Sequence, residues 1–352
     1  MLYAIFAIVL VASLLFTPII RQLALYFDVT DKPDKRRVNI KPIPSLGGLA
    51  IYISFTIGLF MLPIDKSLVV PLFVSGTIMM LTGLIDDIFE MKARFKLIGQ
   101  LLAAIVIVLF GGIEITFINL PFGGDIHFGV FSIPLTIIWI VAITNAVNLI
   151  DGLDGLAAGV STIALLTIMC MAFIMQDPVV IMLAMVLIAA TLGFLPYNFH
   201  PAKIFMGDTG ALFLGFVISV LSLMGFKNVT FISLIVPILI LGVPIADTLF
   251  AIIRRIVTKQ PIAMADKFHM HHCLMNLGFT HRQTVILIYA ISALFSLFSF
   301  ILTMSTLWGS VLLMGVLLIL IEVLIETLGL IGQNYRPIMR LLRIHTTHDD
   351  EE

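Results

Sequence analysis

The chain is short of charge. Only 12% of its 352 residues are Asp, Glu, Lys or Arg, and 60% are hydrophobic; soluble domains carry about 25% charged residues. That shortage, together with apolar runs of about 20 residues, leaves no room for a separate soluble domain. Two cysteines, Cys170 and Cys273, are too few and too far apart for a disulfide framework. A net charge of −1 gives no basic footprint for nucleic acid. The sequence has neither GxxxxGK[ST] nor GxGxxG, which excludes nucleotide binding by a P-loop or a dinucleotide fold. Residues 1–20 lack the basic start of a signal peptide and are followed by Arg21, so they read as a retained first span.

What the sequence does have is apolar segments near 1–20, 46–62, 68–85, 97–111, 132–147, 157–175, 179–196, 210–226, 231–252, 284–303 and 308–325. They predict an all-α polytopic membrane protein of eleven transmembrane helices, or ten if the last one is lost. One integral-membrane domain covers 1–345, with a polar cytoplasmic tail at 346–352. Residues 112–131, flanked by Gly111-Gly112 and holding Pro121 and Gly123-Gly124, read as a loop or hairpin. With the N-terminus outside, eighteen of the twenty basic residues fall on the inner side, and only Lys66 and Lys227 lie outside. That asymmetry is the positive-inside signal.

The acidic residues gather in the inner breaks. Asp86 and Asp87 close the third segment, followed by Glu90, Lys92, Arg94 and Lys96. Adjacent carboxylates repel and persist where a cation or proton is shared; the plainer reading is a solvated helix end. Asn145, Asn148, Asp151 and Asp154 recur every three residues in Asn145–Gly155 (NAVNLIDGLDG). Oxygen donors on a glycine-rich turn suit Mg²⁺, which takes few protein ligands, and four of them exceed what a helix cap needs. Asn198, Phe205 and Asp208 lie in a further break, where Asp208 alone reads as an N-cap and Phe205 as interface packing. His269, His271 and His272 sit with Cys273 in the longest inner loop. A zinc site there is conceivable, but histidines beside a phosphate are the more economical reading. Asp247, inside its span, reads as a structural partner of Arg254.

In order along the chain stand Lys41–Gly48 (KPIPSLGG), Leu84–Asp87 (LIDD) with Lys96 and Gln100, the NAVNLIDGLDG segment, Asn198–Gly210 (NFHPAKIFMGDTG) and His269–His272 (HMHH). With these motifs the chain resembles the polyprenyl-phosphate N-acetylhexosamine-1-phosphate transferases, and its HxHH form resembles the WecA/TagO-like branch. The resemblance covers essentially the whole chain. It departs at Glu90, where the family often has Asp, and at Asn39, where many relatives have His.

The resemblance implies that Asn148 and Asp208 hold Mg²⁺, with Mn²⁺ as a substitute. Asp86 and Asp87 would position or deprotonate a lipid phosphate, Lys96 would meet the donor diphosphate, and Phe205 would stack on uracil. Asp151, Asp154 and Asn198 would surround the uridine, with Asn145 and Glu90 also on the substrate side. His269, His271 and His272 would hold the diphosphate or sugar end. The implied partners are UDP-GlcNAc, undecaprenyl phosphate, the lipid bilayer of a bacterial inner membrane and a second copy in a homodimer. The product is a lipid-linked sugar that starts a cell-envelope glycan of teichoic acid or O-antigen type. The competing expectations are the same chemistry on UDP-GalNAc, a diacetamido sugar or UDP-MurNAc-pentapeptide, and, at a distance, an anionic-solute transporter. Transporters keep ionisable groups near the bilayer midplane; here they gather at one interface.

Overall fold

A computed structural model describes residues 1–31, 42–119, 124–225, 231–257, 259, 269–330 and 337. Asn39, Lys41, Lys267 and the tail 346–352 lie outside them. The described chain is helical throughout its core. In order run α1 (Leu2–Tyr26), α2 (Gly47–Met61), α3 (Lys66–Phe89), α4 (Ala93–Gly111), α5 (Ser132–Leu149), α6 (Leu156–Ile174), α7 (Pro178–Asn198) and α8 (Gly207–Met224). They are followed by α9 (Phe231–Ile240), α10 (Gly242–Val257), α11 (Met270–Asn276), α12 (His281–Met304) and α13 (Leu307–Leu328). Among the described residues nine helices are long and apolar enough to cross a membrane, with α2 a shorter apolar one.

The apolar runs form helices because nothing in a bilayer core satisfies a backbone N–H or C=O except the helix itself. Their ends carry local signals. Asp65 caps α3 through Ser67 N at 3.0 Å, Asp177 caps α7 ahead of Pro178, and Thr280 with Gln283 forms a capping box on α12.

The expected single helix over 231–252 is two helices, α9 and α10, meeting at Leu241 and running on to Val257. Pro237 and Pro244 flank the junction and remove two N–H donors. The Leu241 and Ile245 amides still bond to the Pro237 and Leu241 carbonyls, at 3.1 and 3.0 Å, so the chain bends and continues. The glycine-rich stretch at 112–131 includes an antiparallel hairpin of β1 (Phe117–Asn119) and β2 (Asp125–His127), with Ile118 opposite Ile126.

Helix α8 is the axis of the bundle. Every residue from Thr209 to Leu223 is buried, and α2, α3, α5, α6 and α7 pack around it. Small residues set the approach distances, as in other membrane bundles. A Cβ on Gly83 would lie 2.5 Å from Thr209 Cα, so only glycine lets the end of α3 touch the first turn of α8. Ser13 donates across to Ala190 O at 2.6 Å, joining α1 to α7. On the outside, Leu15, Ile19, Leu312 and Leu318 are exposed, an apolar surface suited to lipid. The ends of α3, α5, α7 and the starts of α4, α8 and α12 come together at one end of the bundle through the polar contacts described next.

Candidate active site

At that end three oxygen acceptors from three helices converge on one ammonium. Lys96 Nζ, from the first turns of α4, lies 3.0 Å from Asp86 Oδ2 and 3.3 Å from Asn148 Oδ1, and it is paired with Asp208 Oδ2. Asn148 Nδ2 donates to Asp208 Oδ1 at 2.7 Å. Asp86 uses its other oxygen to accept the Met91 N–H at 2.7 Å, which fixes the turn after α3. Asp86, Lys96, Asn148 and Asp208 thus form one cluster. Glu90 is exposed at the left-handed residue that ends α3.

Asp87 faces a different task from its neighbour. Its Oδ1 accepts the Asp208 N–H at 2.8 Å; its Oδ2 accepts the Thr209 N–H at 2.9 Å and the Thr209 hydroxyl at 2.6 Å. It is therefore the cap of α8, supplied from another helix. A carboxylate there meets the unsatisfied N–H groups and positive end of the helix, and it sets the position of Asp208. The PIPSLGG segment braces the same loop. Phe205 N donates to Pro44 O at 2.8 Å, and Gly47 and Gly48 donate to the Phe205 and Met206 carbonyls at 2.9 and 2.8 Å. Phe205 is half-buried.

Asn145 and Asn198 are committed to protein partners. Asn145 exchanges amide bonds with buried Gln100 at 2.8 and 3.1 Å, one turn below Asn148. Asn198 accepts the Gly155 N–H at 3.1 Å and donates to Ile204 O at 3.0 Å, tying the NFHPAKIF loop to the DGLDG loop. Asp151 is half-buried in that loop. Burial and the neighbouring Asp208, Asp87 and Asp154 charges push its carboxyl up to about 8.

The histidine segment closes over the DGLDG loop. His271 is buried, and a Cβ on Gly152 would come within 2.6 Å of its Nε2. Burial, with a smaller effect of neighbouring His272, lowers the His271 ring to about 3, so it is neutral at physiological pH. The His271 and His272 rings lie 4.2 Å apart. His269 Nδ1 lies 2.8 Å from Asp247 Oδ2. Asp247, expected beside Arg254, pairs instead with the histidine segment; Arg254 Nη1 donates to Leu330 O at 2.5 Å. The reason is length: α10 carries Asp247 to the start of α11, while Arg254 lies two turns further on.

The model of the glycosyl transferase family 4 matches residues 69–226. The chain is 45% identical to a Bacillus subtilis protein named "probable undecaprenyl-phosphate N-acetylglucosaminyl 1-phosphate transferase", over 96% of this chain and 95% of that one. The chain belongs to the polyprenyl-phosphate N-acetylhexosamine-1-phosphate transferases. A decaprenyl-phosphate N-acetylglucosaminephosphotransferase of Mycolicibacterium smegmatis is 36% identical, over 77% of this chain and 74% of that one. A phospho-N-acetylmuramoyl-pentapeptide-transferase of Halalkalibacterium halodurans is 31% identical, over 83% and 93%.

For a hexosamine-1-phosphate transferase the cluster at Lys96 is the natural cation position. All its protein donors are oxygens, the donor set of Mg²⁺, and they already surround a positive charge in the form of the Lys96 ammonium. The residues therefore fit the metal that the family implies. A second donor set is separate from it: Asp154, His200 and His281 place one ligand atom each within 4.8 Å of one another. There His200 Nδ1 lies 2.8 Å from Asp154 Oδ2, which also accepts the Ala202 N–H at 3.0 Å. The Asp154 N–H donates to His281 Nε2 at 3.0 Å. The set is hydrogen-bonded within itself and clamps the loop. Among the described residues it is the one such group. Sequence reasoning missed His200 and His281, and it read Asp247, a lone carboxylate in an apolar run, as a partner of Arg254 and not of the histidine segment.

Proposed function

We propose that this protein transfers N-acetylglucosamine 1-phosphate from UDP-N-acetylglucosamine to undecaprenyl phosphate, releasing UMP, at the cytoplasmic face of a bacterial inner membrane. The observation that carries the reaction class is the convergence of Asp86, Asn148 and Asp208 on Lys96 at one end of an apolar bundle. An acceptor with a long apolar tail and a phosphate head needs that arrangement, with lipid on one side and a soluble nucleotide on the other. The choice of donor rests on the Bacillus subtilis relative. The Halalkalibacterium relative favours a second reading, UDP-MurNAc-pentapeptide as donor.

In this reaction an oxygen of the lipid phosphate attacks the β-phosphorus of the UDP-sugar. One P–O–P bond forms, the α–β anhydride breaks, and UMP leaves with its electron pair. The acceptor needs little help to ionise, because a phosphate monoester has a second pKa of about 6. Phosphoryl transfer is then a matter of position and charge. Asp208 and Asn148 would hold Mg²⁺, or Mn²⁺ as a substitute, which would supply neutralising charge on the diphosphate. Lys96, beside the same carboxylates, would meet the leaving phosphate. Asp86 orients the acceptor beside it, and Asp87 holds Asp208 through the start of α8. Phe205 and the Asp151–Asp154 loop form the uridine side; His269, His271 and His272 line the sugar-diphosphate side. A homodimer is the assembly we expect.

A donor panel tests the reading. Purified protein with undecaprenyl phosphate and Mg²⁺ should release UMP from UDP-GlcNAc at least tenfold faster than from UDP-GalNAc or UDP-MurNAc-pentapeptide. The reverse order would move the protein to another donor.

A further inference from the structure

We propose that Asp247 is a positioning residue: it fixes the ring orientation and tautomer of His269 and thereby the seat of the histidine segment on the DGLDG loop. The inference rests on the transferase reading above and assigns that site a carboxylate from the largely apolar first half of α10. Asp247 is 3% exposed in α10. A carboxylate in such surroundings is costly unless both oxygens are satisfied. They are: Oδ2 lies 2.8 Å from His269 Nδ1, and Oδ1 accepts the Met270 N–H at 2.7 Å. The two contacts go to consecutive residues, so the carboxylate grips the segment as a fork.

The chemistry follows from the acceptor. A carboxylate receives a proton and gives none, so the ring nitrogen facing it is Nδ1–H. That leaves Nε2 as the nitrogen with a free choice of partner. A carboxylate behind a working histidine sets ring angle and tautomer together. The hold is transmitted onward. The His269 and His271 rings are nearly parallel, 3° between planes at 6.0 Å, and His271 lies against Gly152, one residue from Asp151. The same device appears at Asp87, where a carboxylate of one helix fixes the start of another beside a reacting group.

The test is a double-mutant cycle on the full-length protein in detergent, read as UMP release. Outer partners of this kind are worth about 10–100-fold in activity. Asp247→Ala should lower kcat by about that factor and change the KM for the UDP-sugar less than about threefold. Asp247→Asn, which keeps one acceptor, should fall between. In a His269→Gln background, Asp247→Ala should cost less than about threefold more, because its partner is already gone. A full additional loss in that background would overturn the proposal, as would a drop in melting temperature with kcat unchanged. A second readout does not depend on turnover. In ¹⁵N-histidine-labelled protein, the signal removed by His269→Gln should be that of an Nδ1-protonated ring in the wild type and should lose that signature in Asp247→Ala. An Nε2-protonated or averaging ring in the wild type would also overturn it. Absence of wild-type UMP release with any UDP-sugar would count against the transferase reading, while the nitrogen spectrum would still decide the role of Asp247.

Discussion

Substituting Asp87 separates a helix cap from a chemical base. In Asp87→Ala three donors lose their acceptor: the Asp208 N–H, the Thr209 N–H and the Thr209 hydroxyl. A lost cap costs about 0.5–2 kcal/mol, and each buried donor left unserved about 1–3 kcal/mol. A total of about 2–5 kcal/mol follows for the two N–H groups together, since they share one helix end. Asparagine keeps one acceptor oxygen and can donate to the Thr209 hydroxyl, leaving one N–H unserved, a cost of about 1–2 kcal/mol. At about 2–4 °C per kcal/mol for a large chain, the melting temperature should fall by about 4–20 °C in Asp87→Ala and by about 2–8 °C in Asp87→Asn. Turnover should follow, because Asp208 moves with the first turn of α8 and a misplacement of about 1 Å can cost about 10²-fold. We therefore expect about 10²-fold loss of kcat in Asp87→Ala and less than about tenfold in Asp87→Asn, measured as UMP release beside a thermal scan in the same detergent. An Asp87→Asn protein that melts like the wild type and loses more than about 10³-fold in kcat would refute the reasoning, because only the negative charge or basicity of Asp87 would then be missing.

Lys96→Met removes the charge between Asp86 and Asp208; kcat should fall by about 10²–10³-fold, as for loss of one electrostatic donor, while the Mg²⁺ concentration for half-activity falls, and unchanged turnover would contradict the assignment. His271 gives a pH dependence of stability. Its folded ring stays neutral down to about 3, whereas the unfolded ring takes a proton near 6.5. Between those values the unfolded state binds more protons, so stability declines as pH falls from about 6.5 toward 3, by up to about 1.4 kcal/mol per pH unit. His271→Gln should flatten that slope in melting curves taken between pH 4 and 7, and an identical slope in the variant would show that the ring is not held neutral.

Much of the architecture was legible from hydropathy. The run lengths mark the helices because a bilayer leaves the backbone one way to satisfy itself, and the glycines at 111–124 announced the hairpin. The bend at Leu241 was signalled by Pro237 and Pro244, yet the apolar run hid it, because composition counts residues and not N–H donors. Within the site, Asp86, Lys96, Asn148 and Asp208 meet, although Asp208 by itself read only as an N-cap. Asp87 was not separable from Asp86 in the sequence, since caps are sought beside their own helix and this one comes from 121 positions away. Asn145 shared the three-residue rhythm of Asn148, but Gln100 on a neighbouring helix takes its amide. Asp154 finds its histidines 46 and 127 residues along the chain, a distance no local pattern spans.

The most direct test of the account is the requirement for all three reactants at once. Purified protein should release UMP from UDP-GlcNAc and form a matching amount of undecaprenyl-diphospho-GlcNAc when undecaprenyl phosphate and Mg²⁺ are both present, and should stop on adding EDTA or omitting the lipid. UMP release that persists without the lipid acceptor, or that ignores EDTA, would contradict the transfer reaction proposed for the Asp86, Asn148 and Asp208 cluster.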